Sequence, residues 1–418
     1  MNKRLSLLLA LCLIFSFALV SVANAQDITL WTYPVGSWGD ADAIQALIDK
    51  FNEVYPDIHV DVELLAYANG DDQVNTAIEG GQAPDLIFEG PERLVANWGA
   101  KGLMVDIADL WGADYAKEIY PSIESACHNA EGAYYEFPVC MTAHTMAINY
   151  DLFKAADALQ YINEETRTWT TDGFINAVKA LYEYGQDPVG AVFCNGQGGN
   201  QGTRALINNL YGGTFTNPEH TAYTADSEEN VKALELLQSL DGINIDPAIN
   251  GGEEIQLFCN ETLGMAFCWN SAIEINNKDN VDFEILPMAF PSNGEPKLAG
   301  GIWGFGIFDN GDPARIDAAK KFVEFITGNN EVYKEAVAIS GYFPVRPFEN
   351  VYEGTDIADV MDEYSMFMPY MGDYYQVTSG WAQARTEWWN MLQRIGAGGN
   401  VADEVAVFVA NANAAAGN

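Results

Sequence analysis

The chain has 418 residues, of which 49% are hydrophobic, 12% aromatic and 19% charged. That apolar fraction supports packed cores and excludes wholesale disorder, and the length suits two or three domains. With 59 acidic against 20 basic side chains, the net charge of −39 argues against nucleic acid or an anionic membrane surface as a partner, since either would repel it.

The first residues read as an address. Lys3 and Arg4 precede an apolar run, Leu5 to Val22, broken only by Ser6, Ser16 and Ser21. Ala23-Asn24-Ala25 then supplies the small-x-small pattern of a signal-peptidase site, so residues 1–25 are expected to be a cleaved signal peptide and the mature protein periplasmic or secreted. An uncleaved membrane anchor is the competing reading. Leu11 is too bulky to make Cys12 a lipidation site. Five cysteines remain downstream: Cys127, Cys140, Cys194, Cys259 and Cys268. Export permits disulfides, and Cys127–Cys140 and Cys259–Cys268 are the local candidates, but buried thiols are the favoured reading because a chain this long needs no staples.

Ile28 to Trp31 predicts a short strand, followed by a loop with Pro34, Gly36 and Gly39. Ile44, Leu47, Ile48, Phe51 and Tyr55 recur at helical spacing until Pro56. Ile58, Val60, Val62 and Leu64 alternate with polar residues as a strand does, and Leu86 to Phe88 is another strand. This β-α-β order predicts a parallel sheet with helices on its faces. Downstream, Ala143 to Asn149, Val189 to Phe193, Leu263 to Cys268 and Phe283 to Leu286 read as strands. Helical faces run through Phe174 to Tyr182, Val231 to Leu240 and Ile316 to Ile326, with Asp312-Pro313 opening the last. The final third is mostly helical, with Trp381, Arg385, Trp388 and Leu392 on one face. Asn195 to Gly202 reads as a polar loop.

The four histidines, His59, His128, His144 and His220, lack metal-ligand spacing, and no HExxH or CxxC occurs, so no metal is expected. His144 reads as a packed strand residue before it reads as a base. Gly36-Ser37-Trp38-Gly39 is not a nucleophile elbow, and the 195–202 loop lacks a Walker lysine and does not fit GxGxxG, so no cofactor is expected. A glycosidase pair of carboxylates is neither indicated nor excluded.

In their order, these blocks resemble the extracellular solute-binding proteins of family 1, the maltose-binding-protein-like carbohydrate receptors of ABC importers. The resemblance is carried by ITLWTYP…FNEVYPDIHVDVE, by Gly81 to Phe88 (GQAPDLIF), and by Gly132 to Pro138 leading into Asn149-Tyr150-Asp151-Leu152-Phe153. It continues through Thr168-Trp169-Thr170, Gly264 to Phe267, Gly300-Gly301-Ile302-Trp303, Ala318 to Phe325 and Gly341 to Arg346 (GYFPVR). The resemblance implies an α/β, two-lobed periplasmic-binding-protein fold of class II type, with a hinge and a ligand cleft. The N-lobe is expected at 27–140 plus 303–342 and the C-lobe at 141–302 plus 343–418. It implies a non-enzymatic, monomeric protein that binds a carbohydrate, an oligosaccharide before a monosaccharide, and delivers it to membrane permease subunits. A glycerol phosphodiester ligand, a secreted carbohydrate-active enzyme and a sensory ligand-presenting protein are the alternatives.

A pyranose offers apolar C–H faces and a fringe of hydroxyls, so aromatic rings and planar polar groups are sought. Trp381 and Arg385 lie four apart on a predicted helix, in a pattern similar to the family's last sugar-contacting helix. Glu92 and Arg93 stand at the family's spacing for an acid and an arginine, and Glu89 replaces a stacking tryptophan. Trp303 beside Gly300-Gly301, Trp269 with Asn270, Trp38 in the first loop and Thr142 at the first lobe crossing complete the candidates. Each has a structural alternative in core packing or a surface ion pair. The family's charged contacts in the first loop, and its Glu-x-Tyr contact near 195–202, have no counterpart here, which argues against maltose.

Overall fold

The structure, a computed structural model, describes residues 26–196 and 201–417. Residues 1–25, where the signal peptide is expected, positions 197–200 of the polar loop and residue 418 lie outside the described residues. The strands are β1 (Gln26–Thr32), β2 (Ile58–Leu64), β3 (Leu86–Glu89), β4 (Phe137–Ala143), β5 (Thr145–Asn149), β6 (Gly190–Asn195), β7 (Ile243–Asn250), β8 (Met265–Trp269), β9 (Ile285–Met288), β10 (Gly300–Ile307) and β11 (Phe343–Pro344).

The first sheet has six strands in the order β11-β4-β10-β3-β1-β2. β1 runs parallel to β2 and β3, as the β-α-β reading predicts. The sheet as a whole is mixed, because β10 returns antiparallel between β3 and β4. A strand so distant in sequence leaves no local signal of its direction. Ile44, Leu47, Ile48 and Phe51 of the helix Ala41–Val54 are almost fully buried against this sheet's main core, each contributing about 1.5–3 kcal/mol. Leu86 and Phe88 face that core, while Ile87 joins a smaller cluster with Tyr33, Val74 and Trp98. Both faces are therefore covered, and β3 reads as an unbroken apolar run from Leu86 to Phe88.

The second lobe holds a three-stranded antiparallel sheet, β8-β5-β9, and a parallel pair, β6-β7. Helices Thr171–Tyr184 and Trp381–Gly396 bury Phe174, Leu181, Trp388 and Leu392 in one core with these strands. Thr170 Oγ1 accepts the Gly173 N–H at 3.0 Å at one helix start, and Gly185, at φ 114°, ends that helix in a conformation that favours glycine.

Positions 143–149 correct the single strand expected there. β4 ends at Ala143 in the first sheet, and β5 begins at Thr145 in the second-lobe sheet. His144 alone lies between them, and its N–H donates to Ala299 O at 2.9 Å, just before the chain returns in β10. Two passages between the lobes are thus tied together at one residue. Val345, Val351 and Tyr352, expected in the C-lobe, pack in the first core, and the chain rejoins the second core at Val360 and Tyr364. The five downstream cysteines are all free thiols, buried except for the partly exposed Cys259.

Candidate binding cleft

A cavity of about 430 Å³ lies where the two cores face each other. Tyr67, Glu89, Glu92 and Arg93 line it from the first lobe, and Asn270, Trp381 and Arg385 from the second. His144, Trp303 and Tyr342 line it near the passages, and Gln201, Asn250 and Cys268 also reach it.

Sequence places Glu92 and Arg93 on the short turn Pro91–Arg93 directly after β3. Neither is a solvated surface group: both are nearly buried. Arg93 Nε donates to Asp71 Oδ1 at 2.7 Å and Nη1 to Glu89 Oε1 at 2.6 Å. Its guanidinium sits 4.9 Å from the Tyr33 ring centroid and 5.7 Å from that of Tyr67, two rings stacked 4.9 Å apart. Tyr33 OH donates to Asp71 Oδ1 at 2.6 Å, and Tyr374 OH to Glu92 Oε2 at 2.6 Å. Arg385 completes the knot by pairing with Asp71 Oδ2. Asp71 belongs to the first lobe and Arg385 to the second, so this ion pair joins the two.

Burial opposes the Asp71 carboxylate, yet the Arg93 and Arg385 charges beside it win and hold its pKa below the usual carboxylate range. Glu89 goes the other way. Burial, aided by Glu92 and Asp71, pushes it up to about 8 against the pull of Arg93. Behind this wall Glu136 is fully buried with neither oxygen hydrogen-bonded, and burial drives its carboxyl well up.

Trp303 and Tyr342 stack with centroids 4.8 Å apart and planes 21° from parallel. Gly301 permits this: a Cβ there would lie 2.1 Å from the Trp303 ring. The β4–β10 register also shifts between Trp303 and Gly304, a bulge of the kind that re-aims a side chain. Trp381 opens its helix with Arg385 one turn on, and the Arg204 guanidinium lies 4.6 Å from the Trp381 ring centroid. Asn270 Oδ1 accepts the Ile273 N–H at 3.0 Å, capping the helix Ser271–Asn277.

The structure therefore brings Glu89, Glu92, Arg93, Asn270, Trp303, Trp381 and Arg385 to one cavity. It does not bring Trp38, Trp269 or Thr142 there. Trp38 stacks on Phe88 at 4.1 Å and donates its N–H to Ala336 O, inside the first core. Trp269 is out of phase: side chains alternate along β8, so Cys268 reaches the cavity while the Trp269 indole turns into the core and its N–H meets Glu274. Thr142 is buried in β4, opposite Gly301, with its hydroxyl turned to Ala143 O. Sequence reasoning missed Tyr67, Asp71, Gln201 and Tyr342, and it favoured a packing role for His144 over that of a base. Tyr342 lay within the GYFPVR block that carried the resemblance, whereas Asp71, one of an acidic pair in the first turn of the helix Gly70–Glu79, gave no signal.

Comparison with known proteins agrees with this architecture. An ABC substrate-binding protein from Listeria monocytogenes, solved in complex with cycloalternan, superposes with a TM-score of 0.77 at 19% identity, covering 94% of this chain and 99% of its own. An ABC transporter solute-binding protein from Thermotoga lettingae, bound to α-D-tagatose, gives 0.74 at 18% identity over 94% and 100%. The GacH receptor of Streptomyces glaucescens, solved unliganded and with acarbose, gives 0.72 at 17% identity over 93% and 97%. These similarities show a shared two-lobed fold. An uncharacterized lipoprotein of Streptomyces antibioticus is 27% identical over 121 residues, 28% of this chain and 27% of that protein. The family described as bacterial extracellular solute-binding protein matches residues 46–360. That span covers most of the chain, from the first helix to the return into the second core, and the protein belongs to this family.

Proposed function

We propose that this protein is the extracytoplasmic substrate-binding subunit of an ABC importer and holds a carbohydrate in the cavity between its lobes. The observation that carries the reading is the composition of that one cavity. Aromatic faces (Tyr67, Trp303, Tyr342 and Trp381) and planar polar groups (Glu89, Glu92, Arg93, Asn270 and Arg385) line it from both lobes. Rings stack on the C–H faces of a sugar, while carboxylate, amide and guanidinium groups take its hydroxyls. Several platforms in one cavity favour an oligosaccharide over a single ring. Tagatose, cycloalternan and acarbose in the similar structures support the same ligand class.

A ligand that touches both walls stabilises the closed state by the contacts only that state offers. The closed monomer then presents both lobes to membrane permease subunits and releases its cargo unaltered. The N-terminal run and Ala23-Asn24-Ala25 supply the export route, with cleavage after Ala25, and no helix among the described residues is long and apolar enough to cross a membrane. A thermal-shift screen over a glycan panel tests the reading, because a tight ligand raises the melting temperature by mass action. We expect a neutral oligosaccharide to raise it in a concentration-dependent way and to be recovered chemically unchanged. A panel with no shift, or release of reducing sugar, contradicts the proposal.

A further inference from the structure

Resting on the carbohydrate reading, we propose that Arg204 is a positioning residue of the cleft, which holds the Trp381 ring in place as a sugar platform and never touches the ligand. Arg204 lies on the helix Gln201–Tyr211 and is fully buried. Trp381 lines the cavity, whereas Arg204 stands behind it. The guanidinium carbon is 4.6 Å from the Trp381 ring centroid, 5.4 Å from that of Phe215 and 5.7 Å from that of Tyr375. Its Nε donates to Tyr375 OH at 3.2 Å, and Nη1 and Nη2 have no hydrogen-bond partner in the protein.

This is an unusual way to bury a cation. A guanidinium keeps its charge in a protein, and burial opposes that charge. Arg93 and Arg385 meet the cost by sharing the Asp71 carboxylate. Arg204 has three ring faces and one phenol instead. Exchanging an uncompensated buried charge for an apolar side chain is often neutral or stabilising, so stability alone gives no reason for an arginine here. Orientation does, because a cation is attracted to the face of an aromatic ring. Trp381 needs such a hold. It is the first residue of its helix, and Gly380 before it provides no side-chain cap. The N–H groups of Trp38 and Trp169 are anchored to Ala336 O and Ala289 O, but the Trp381 N–H makes no hydrogen bond.

Arg204 is itself well fixed. A Cβ at Gly202 would lie 1.7 Å from Phe267 O, so the start of the Arg204 helix is pressed onto β8. Further along the same helix, Asn209 accepts the Lys297 N–H at 2.7 Å and donates to Lys297 O at 2.7 Å. Phe215 packs on Trp381 and Tyr375, with centroids 5.7 Å and 5.2 Å away. The second-lobe scaffold thus reaches the cleft through one buried charge and one ring.

The test is calorimetric titration of the full mature chain with maltotriose, cellotriose and mannotriose, followed by variants on the tightest of them. Arg204→Met keeps the length of the side chain and removes the charge. It should weaken binding about tenfold, while the melting temperature of the ligand-free protein stays level or rises. Arg204→Lys, which keeps a cation, should lose less, about threefold. The decisive readout is a double-mutant cycle: once Trp381→Ala is in place, adding Arg204→Met should change affinity by less than about twofold. Wild-type affinity in Arg204→Met, or the same tenfold loss in the Trp381→Ala background, overturns the assignment. A lost melting transition in Arg204→Met also overturns it, since the residue would then be structural. If no trimer binds the wild-type protein, it is the carbohydrate reading that fails.

Discussion

On the first-lobe wall of the cleft, Asp71, Glu89, Glu92 and Arg93 hold one another and Tyr33, Tyr67 and Tyr374 in a closed network. On the facing side, Gln201 and Trp381 line the cavity, and their buried Oε1 and Nε1 atoms, like His144 Nε2 at the passage between the lobes, have no hydrogen-bond partner in the protein. One wall is a connected charged network, and the other has buried polar atoms without protein partners at and behind it, Arg204 Nη1 and Nη2 among them. The contrast teaches that charge pairing organises the first wall and, through Asp71, ties it to the second. Arg385 joins the two, because it projects from the second lobe yet pairs with Asp71 of the first.

The largest effect should come from cutting that junction. Asp71→Ala leaves the Arg93 and Arg385 guanidiniums buried without their shared acceptor, and breaking a buried pair costs about 3–5 kcal/mol. Denaturant unfolding should show the loss, and small-angle scattering should show a larger particle as the lobes part. An unchanged midpoint and radius would show that the network is not what holds the walls together.

The second effect falls on the facing wall. Trp381→Ala removes a ring that is 2% exposed and packed on Arg204, and it should weaken sugar binding by at least about 1–2 kcal/mol through lost stacking and burial. Equal affinity in the variant, measured by titration, would remove Trp381 from the site.

The third concerns buried acids beyond the ion-pair network. Burial pushes Glu254 up to about 8, against the Phe267 and Cys268 N–H groups that bond it, and Glu274 up to about 7, against the Tyr364 and Trp269 bonds. A raised carboxyl binds its proton more tightly in the folded state. Its stabilising contribution is therefore complete below the ordinary carboxylate range, near pH 4.5, and is lost as pH rises through about 7–8. Melting temperature should fall between about pH 6 and 8.5, and Glu254→Gln should flatten that slope. A flat profile in wild type would contradict it. The smallest effect should be that of salt. With the wall charges paired internally, affinity for a neutral sugar should change by less than about twofold between low and high ionic strength, whereas a charged ligand would show a steep dependence in the same titration.

The sequence was most legible where one element carries its own periodicity. Trp381 and Arg385, four apart on an amphipathic helix, reach the same cavity. Family spacing placed Glu92 and Arg93 there, although not the burial that makes them a network. Legibility failed where the phase of a strand decides. Trp269 and Asn270 are neighbours, and only the pleat determines which faces the cavity. It failed again at 143–149, which reads as one strand but serves two sheets because the chain changes lobes at His144. β7 was missed because INIDPAIN carries a proline and no clean alternation, and it is held by its parallel pairing with β6. Asp71 shows the limit most clearly: its partners lie 22, 38 and 314 residues away in sequence, and no local pattern encodes such a meeting.

A crystal structure of the protein with its tightest-binding neutral trisaccharide tests the central claim most directly. The account predicts sugar rings against Trp303 and Trp381, in the space between the lobes. A sugar seated outside the space between the lobes would contradict it.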